Sequence, residues 1–267
     1  MAGDTAKTRT RALVPILIFA LGACGAQPPT TATTLGGTGP GLRVLVFTKT
    51  TGFRHASIAD GVAAIRRLGQ DNGFGVDDTA DAGRITDTGL TSYRAVVFLS
   101  TTGDILDDTQ QAALRRYIQR GGGWVGIHAA ADAEAAWPWY GGLLGTRFRN
   151  HPAIQRATIR VTPGTADVGG VLPARWERTD EWYNFRSNPR AHALVLATLD
   201  ENSYQGGLMG ADHPIAWCRD YDGGRAWYTA GGHTSASFAE QAFLAHLLAG
   251  LRYATGASRA RCGPEPR

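Results

Sequence analysis

Gly121-Gly122-Gly123-Trp124-Val125-Gly126-Ile127-His128 is the stretch that decides the fold. The glycines end a run of helical period, four residues of buried-strand character follow, and a histidine stands first beyond the strand end. Working back from it, residues 107–120 place Leu114, Tyr117 and Ile118 on one helical face, and residues 95–100 form a continuous apolar strand. Further back, residues 43–48 are a Val- and Leu-rich strand. Residues 57–72 put Ile58, Val62, Ile65 and Leu68 at helical spacing, with Ser57 placed to cap that helix and Gly73 to stop it. A weaker strand spans residues 74–79. Short apolar runs alternating with helical periods predict an α/β fold, a doubly wound and mostly parallel sheet covered on both faces.

Working forward, the alternation breaks between about residues 134 and 192, where Trp-Pro and Gly-Gly pairs intervene. Extended runs at 157–162 and 176–179 predict an antiparallel or irregular insertion there. Runs at 193–199, 214–221 and 224–230 resume the sheet, and a helix over 236–254 closes a domain spanning residues 42–256, with a short tail over 257–267.

A chain of 267 residues, 43% hydrophobic with seven Trp, can bury a sizeable core. The net charge of +4 is spread thinly and several of its arginines lie in the tails, with no basic stripe interleaved with aromatics, so nucleic acid is not expected as a partner. Residues 1–24 carry Lys7, Arg9 and Arg11, then an apolar run too short for a permanent span, then small residues before Cys24: the order of an export signal. Leu21-Gly22-Ala23-Cys24 resembles a lipobox, which makes Cys24 a lipidation site and its lipid the only membrane contact. An ordinary cleaved signal is the other reading. The Gly-, Pro-, Thr- and Ala-rich residues 25–41 read as a flexible linker. In an oxidising compartment Cys218 and Cys262 are expected to pair; two separate thiols is the alternative.

Ligands of open parallel sheets bind beyond the carboxyl ends of the strands, so the residues that follow each strand are the candidates for chemistry. After the first strand come Arg54 and His55; after the third, Thr101 and Asp104; after the fourth, His128 and Asp132; after the last, His233. His55, His128 and His233 converge if the strand order is the doubly wound one, and neutral imidazoles with a carboxylate suit both proton transfer and a divalent metal such as zinc. Any one of them alone reads more readily as a loop histidine bonded to a backbone carbonyl than as a ligand. His151, His192 and His213, beside prolines or in loops, and His246 on the last helix are read as structural.

Four ordered motifs resemble the ThuA-like (trehalose utilisation) family: Gly52-Phe53-Arg54-His55-Ala56-Ser57-Ile58, the glycine-to-His128 stretch, Asp180-Glu181-Trp182-Tyr183-Asn184-Phe185, and His213-Pro214-Ile215-Ala216-Trp217 with Gly224-Arg225 through Gly232-His233-Thr234. The resemblance runs through nearly all of residues 43–254. It implies a flavodoxin-like sheet similar to the class I glutamine amidotransferases, and a role in carbohydrate metabolism with a small carbohydrate as ligand. Where those amidotransferases hold a nucleophilic Cys between glycines, this chain reads Gly126-Ile127-His128-Ala129-Ala130, so glutamine hydrolysis through a Cys-centred triad is not expected.

Within that resemblance, His128, His233, Glu181 and Asp132 are the expected catalytic groups. Asp132 is expected to orient His128 or to join the metal, and Glu181 to have a raised pKa among Trp and Tyr. Arg54, His55, Thr101, Asp104, Asp180, Trp182, Tyr183 and Asn184 are the expected substrate contacts, with Trp137, Trp139 and Tyr140 offering further flat faces for sugar rings or simply packing. Two functions fit: an enzyme of hydrolase or lyase type on a sugar or keto-sugar, or a non-catalytic carbohydrate-binding module tethered to the envelope.

Overall fold

A computed structural model describes residues 1–3 and 41–263 of the chain. The export signal, Cys24 and the linker expected from the sequence therefore lie outside the described residues, apart from the first few and Gly41. In chain order the first elements are β1 (Arg43–Phe47), α1 (Ile58–Asn72), β2 (Gly75–Thr79), α2 (Asp87–Leu90), β3 (Ala95–Leu99), α3 (Asp108–Gln119) and β4 (Gly123–Ile127). Then follow α4 (Pro138–Leu144), β5 (Phe148–Asn150), β6 (Gln155–Val161), α5 (Ala166–Gly169), β7 (Arg175–Asp180) and β8 (Asn184–Phe185). The last are β9 (Leu194–Leu199), β10 (His213–Tyr221), β11 (Gly224–Thr229) and α6 (Gln241–Ala254).

Nine strands form one sheet in the order β2-β1-β3-β4-β11-β10-β9-β6-β7. From β2 to β11 every pairing is parallel, and from β11 to β7 every pairing is antiparallel. The chain runs from β1 outward to β2 and then crosses back to β3, which makes the carboxyl end of β1 and β3 a topological switch point and opens a crevice there. β3 and β4 are buried at every residue, which their unbroken apolar sequence requires, since helices cover both faces of a parallel sheet.

The antiparallel insertion is not a separate body. Its β6 and β7 join the main sheet through β9, and β5 and β8 form a small two-stranded ribbon of their own. Local chemistry sets the joints. Asp107 caps α3 through a reciprocal capping box with Gln110, and Gly121, at φ +90°, turns the chain out of the helix toward β4. Gly123 begins β4 against α6: a Cβ there would stand 2.1 Å from the carbonyl oxygen of Ala254. Two expectations are corrected. Ser57 does not cap α1; its hydroxyl donates to the carbonyl of Gly232, 3.0 Å away, and ties the start of that helix to the loop after β11. The closing helix begins at Gln241, because residues 235–239 form a 3₁₀ turn capped by Thr234. Cys218 of β10 and Cys262 form a disulfide with Cα atoms 5.4 Å apart, which fastens the C-terminal tail to the sheet.

Candidate metal centre and the pocket above it

His128 follows β4 directly and takes up a left-handed backbone, φ +52°, as it enters a 3₁₀ turn. Its ring is fully buried, and Nδ1 lies 2.8 Å from the carbonyl oxygen of Ala230, so Nδ1 carries a hydrogen and Nε2 points into the crevice. Around Nε2 stand His55 Nε2 at 3.2 Å, His233 Nδ1 at 3.1 Å, the Tyr183 hydroxyl at 3.0 Å and Glu181 Oε2 at 3.4 Å. Glu181 Oε2 is also 3.1 Å from His233 Nδ1. The convergence follows from strand order, because β1, β4 and β11 all end at the crevice and the segment after β7 crosses it.

One ligand atom from each of His55, His128, Glu181 and His233 lies within 4.8 Å of all the others. In a tetrahedral zinc site with bonds of about 2.0–2.1 Å, neighbouring ligand atoms are roughly 3.3 Å apart, and the separations about His128 Nε2 match that spacing. Three imidazoles and a carboxylate are also the donor set that zinc and similar divalent cations take, and His128 has the backbone-bonded second nitrogen that orients such a ligand. Nδ1 of His55 is buried without a partner among the described residues.

The electrostatics prepare the same set. Burial, with His128 and His233 nearby, lowers the pKa of His55 to about 3, so its ring is neutral. Burial alone would raise Glu181, but hydrogen bonds from His128 and His233 outweigh it and bring the carboxyl down to about 2. The raised pKa expected for a carboxylate among aromatics is therefore corrected: Glu181 is an anion. Its hydrogen bond raises the pKa of His233 against the opposing effect of burial.

Along residues 180–183 alternate side chains face opposite ways, with Glu181 and Tyr183 toward the cluster and Asp180 and Trp182 away from it. Asp180 is fully buried. Its carboxylate accepts from the backbone N–H groups of Glu181, Gly232 and His233 at 2.9, 2.9 and 3.1 Å and from the Ser237 hydroxyl at 2.9 Å, and it pairs with Arg178. Trp182 is fully buried with its indole N–H on the carbonyl of Gln155, and Asn184 is spent on Asn150, Gly206 and Leu208. None of these three, expected as substrate contacts, lines the pocket. Thr101 is likewise buried, and Arg54 and Asp104, though exposed, do not line it. Trp137 and Trp139 stack on each other, centroids 4.8 Å apart, and Tyr140 is buried in the core beside them.

A cavity of about 210 Å³ opens over the cluster, walled by Phe53, Thr102, Asp132, Phe148, His151 and Tyr183 and floored by His55, Glu181 and His233. Asp132 faces this cavity and does not orient His128, whose Nδ1 is taken by Ala230. Burial raises the Asp132 pKa. Two histidines read as structural belong to the site's surroundings. His151 Nδ1 lies 3.0 Å from Glu181 Oε1, and its ring stacks over Tyr183. His213 donates from Nε2 to the carbonyl oxygen of Tyr183 at 2.8 Å and meets Glu201 at 2.8 Å, bracing the segment that carries Tyr183 and Glu181. His151 had no signal beyond its residue type, whereas His213 opens one of the motifs that resemble the family; both contacts are made across the antiparallel part of the fold.

Residues 43–254 match the family model described as ThuA, trehalose utilisation. Among solved structures, a ThuA-like protein from Bacteroides uniformis superposes with a TM-score of 0.69 at 24% identity, covering 84% of this chain and 94% of that one. A ThuA-like protein from Parabacteroides merdae gives 0.67 at 19%, covering 84% and 98%. A β-galactosidase from Bacillus circulans shares the fold over 80% of this chain and 31% of its own, with a TM-score of 0.54 at 15% identity. No curated protein matches the chain.

Proposed function

Starting from the fact that this chain belongs to the ThuA (trehalose utilisation) family, we propose that it is a divalent-metal-dependent enzyme acting on a small carbohydrate, by hydrolysis or elimination. The observation that carries this reading is the meeting of His55, His128, Glu181 and His233 at one point beneath a pocket. A sugar-binding module needs aromatic faces and hydrogen-bond groups but has no use for three imidazoles aimed at one another. Held by these four residues, a cation such as zinc supplies Lewis-acid polarisation of a carbonyl or activation of a water.

The chain's own groups do the rest. Tyr183, whose hydroxyl touches His128, closes one side of the centre and excludes water. Its pKa is raised strongly by burial, so the phenol stays protonated and able to donate to an oxygen of the substrate. Asp132, in the pocket wall outside the ligand set, is placed to take or return a proton. Export and a lipid anchor at Cys24 complete the proposal and place the enzyme at the cell envelope.

Elemental analysis of the purified full chain tests it directly. Near one equivalent of a divalent metal is expected, falling below a fifth of that in His128→Ala, together with turnover of sugars or keto-sugars that chelation abolishes. A wild-type protein that turns sugars over equally well after exhaustive chelation would sink the reading.

A further inference from the structure

Most polar groups around the 210 Å³ cavity are already engaged. The Thr102 hydroxyl donates to the carbonyl of Phe53 at 2.8 Å; Tyr183, His55 and His233 are committed to the His128 cluster; and His151 Nδ1 lies against Glu181. The exceptions are the buried Nδ1 of His55 and, in the cavity wall, Asp132. Its carboxylate lines the cavity and makes no hydrogen bond or ion pair among the described residues. Two phenyl rings complete the walls. Phe53 stands edge-on to His55 with centroids 4.8 Å apart and is 68% exposed, unusual for so large an apolar side chain. Phe148 packs on Tyr183 at 4.4 Å.

Aromatic faces with one unspent anionic acceptor suit a molecule that has both C–H faces and hydroxyl donors. The volume limits its size, since pockets for drug-sized ligands begin at roughly 300 Å³. We propose that this cavity is a one-ring sugar subsite. A single polyhydroxylated ring, free or at the end of a longer saccharide, lies against Phe148 and Phe53, donates hydroxyl hydrogens to Asp132, and turns its reacting edge to the floor of His55, Glu181 and His233. Any second ring lies outside, past the exposed Phe53. The inference rests on the carbohydrate reading above and narrows it to terminal rings.

Calorimetric titration of metal-loaded full-length protein with D-glucose, D-galactose, trehalose and lactose tests it, with metal content measured on every sample. At least one hexose is expected to bind, its disaccharide within about threefold of it. Asp132→Asn is expected to weaken both by tenfold or more, because a charge-assisted hydrogen bond is lost, while the metal content stays at the wild-type value. Asp132 faces solvent through the pocket, so the variant folds; Phe53→Ala, in the cavity wall, is a second variant expected to weaken the hexose and the disaccharide by similar factors. A disaccharide bound tenfold or more tighter than its hexose, or Asp132→Asn binding as wild type, overturns the one-ring subsite and leaves the metal-enzyme reading standing. Metal-loaded wild-type protein that binds none of the four sugars overturns both.

Discussion

The carboxylate of Asp180 accepts the backbone N–H of His233 across 53 residues of sequence. The same oxygen takes the N–H of Glu181, so one buried anion sets the position of two members of the cluster. Its partner Arg178 is itself buried, pairing also with Glu240 and lying over the rings of Trp176 and Phe243. Asp180→Ala leaves that guanidinium with Glu240 alone and removes the acceptor of three backbone N–H groups, and is expected to cost about 3–5 kcal/mol in urea denaturation. Asp180→Asn, of the same shape, is expected to fold but to bind metal about 10–100-fold more weakly. Metal titration with wild-type affinity in Asp180→Asn would show that the anchor is structural only.

Metal uptake should depend on pH through His233. His55, lowered to about 3, and Glu181, lowered to about 2, are already unprotonated near neutrality, whereas His233, raised above its ordinary 6.5, holds a proton that a cation must displace. Affinity is expected to climb by about tenfold per pH unit as the pH rises toward the folded pKa of His233. Without metal, that raised pKa contributes stability that is whole below about 6.5 and is lost as the pH rises through the folded value. Glu181 acts oppositely, contributing stability above about 4.5 that is lost as the pH falls toward 2. His55, being depressed, also loses stability as the pH falls from 6.5 toward 3, because the unfolded chain protonates first. From neutral to mildly alkaline pH the melting temperature should fall for chelated protein and hold or rise for loaded protein. Parallel pH profiles for the two forms would contradict the assignment.

The Cys218–Cys262 bridge closes a loop of 44 residues by sequence separation, for which chain entropy predicts about 4 kcal/mol. Cys262→Ser is expected to lower the denaturation midpoint accordingly while leaving metal content and sugar binding unchanged, since neither cysteine belongs to the cluster or lines the pocket. Loss of metal in that variant would mean that the tail supports the site.

Gly123→Ala would drive a methyl group to 2.1 Å from the Ala254 carbonyl oxygen, a backbone atom that cannot swing aside. The helix or the strand must shift, and overpacking of this kind costs about 1–3 kcal/mol or more, readable as a lowered melting temperature.

Much of this was legible in the sequence because strand ends are. Apolar runs of strand length followed at once by polar residues marked where His55, His128 and His233 stand, and the alternation of strands and helices supplied the parallel order that brings them together. What lay hidden depended on side-chain direction and on partners distant in sequence. Alternate side chains along residues 180–184 face opposite ways, and nothing in Asp180-Glu181-Trp182-Tyr183-Asn184 says which; all five read as site residues from the sequence, and Glu181 and Tyr183 are the two that line the pocket. The aromatic neighbours of Glu181 are visible in the sequence and point to a raised pKa, whereas the hydrogen bonds from His128 and His233 that lower it are made across the fold. His151 reached Glu181 only through the fold of the β5–β8 ribbon, which a histidine beside a proline does not announce.

The left-handed backbone at His128 sets chemistry and folding at odds. A residue with a Cβ at φ +52° carries a strain of order 1 kcal/mol, and glycine or asparagine would carry less. The backbone at this position therefore favours residues that cannot complete the cluster. Glycine after β4 would keep this turn and remove one of the four side chains that meet at the cluster.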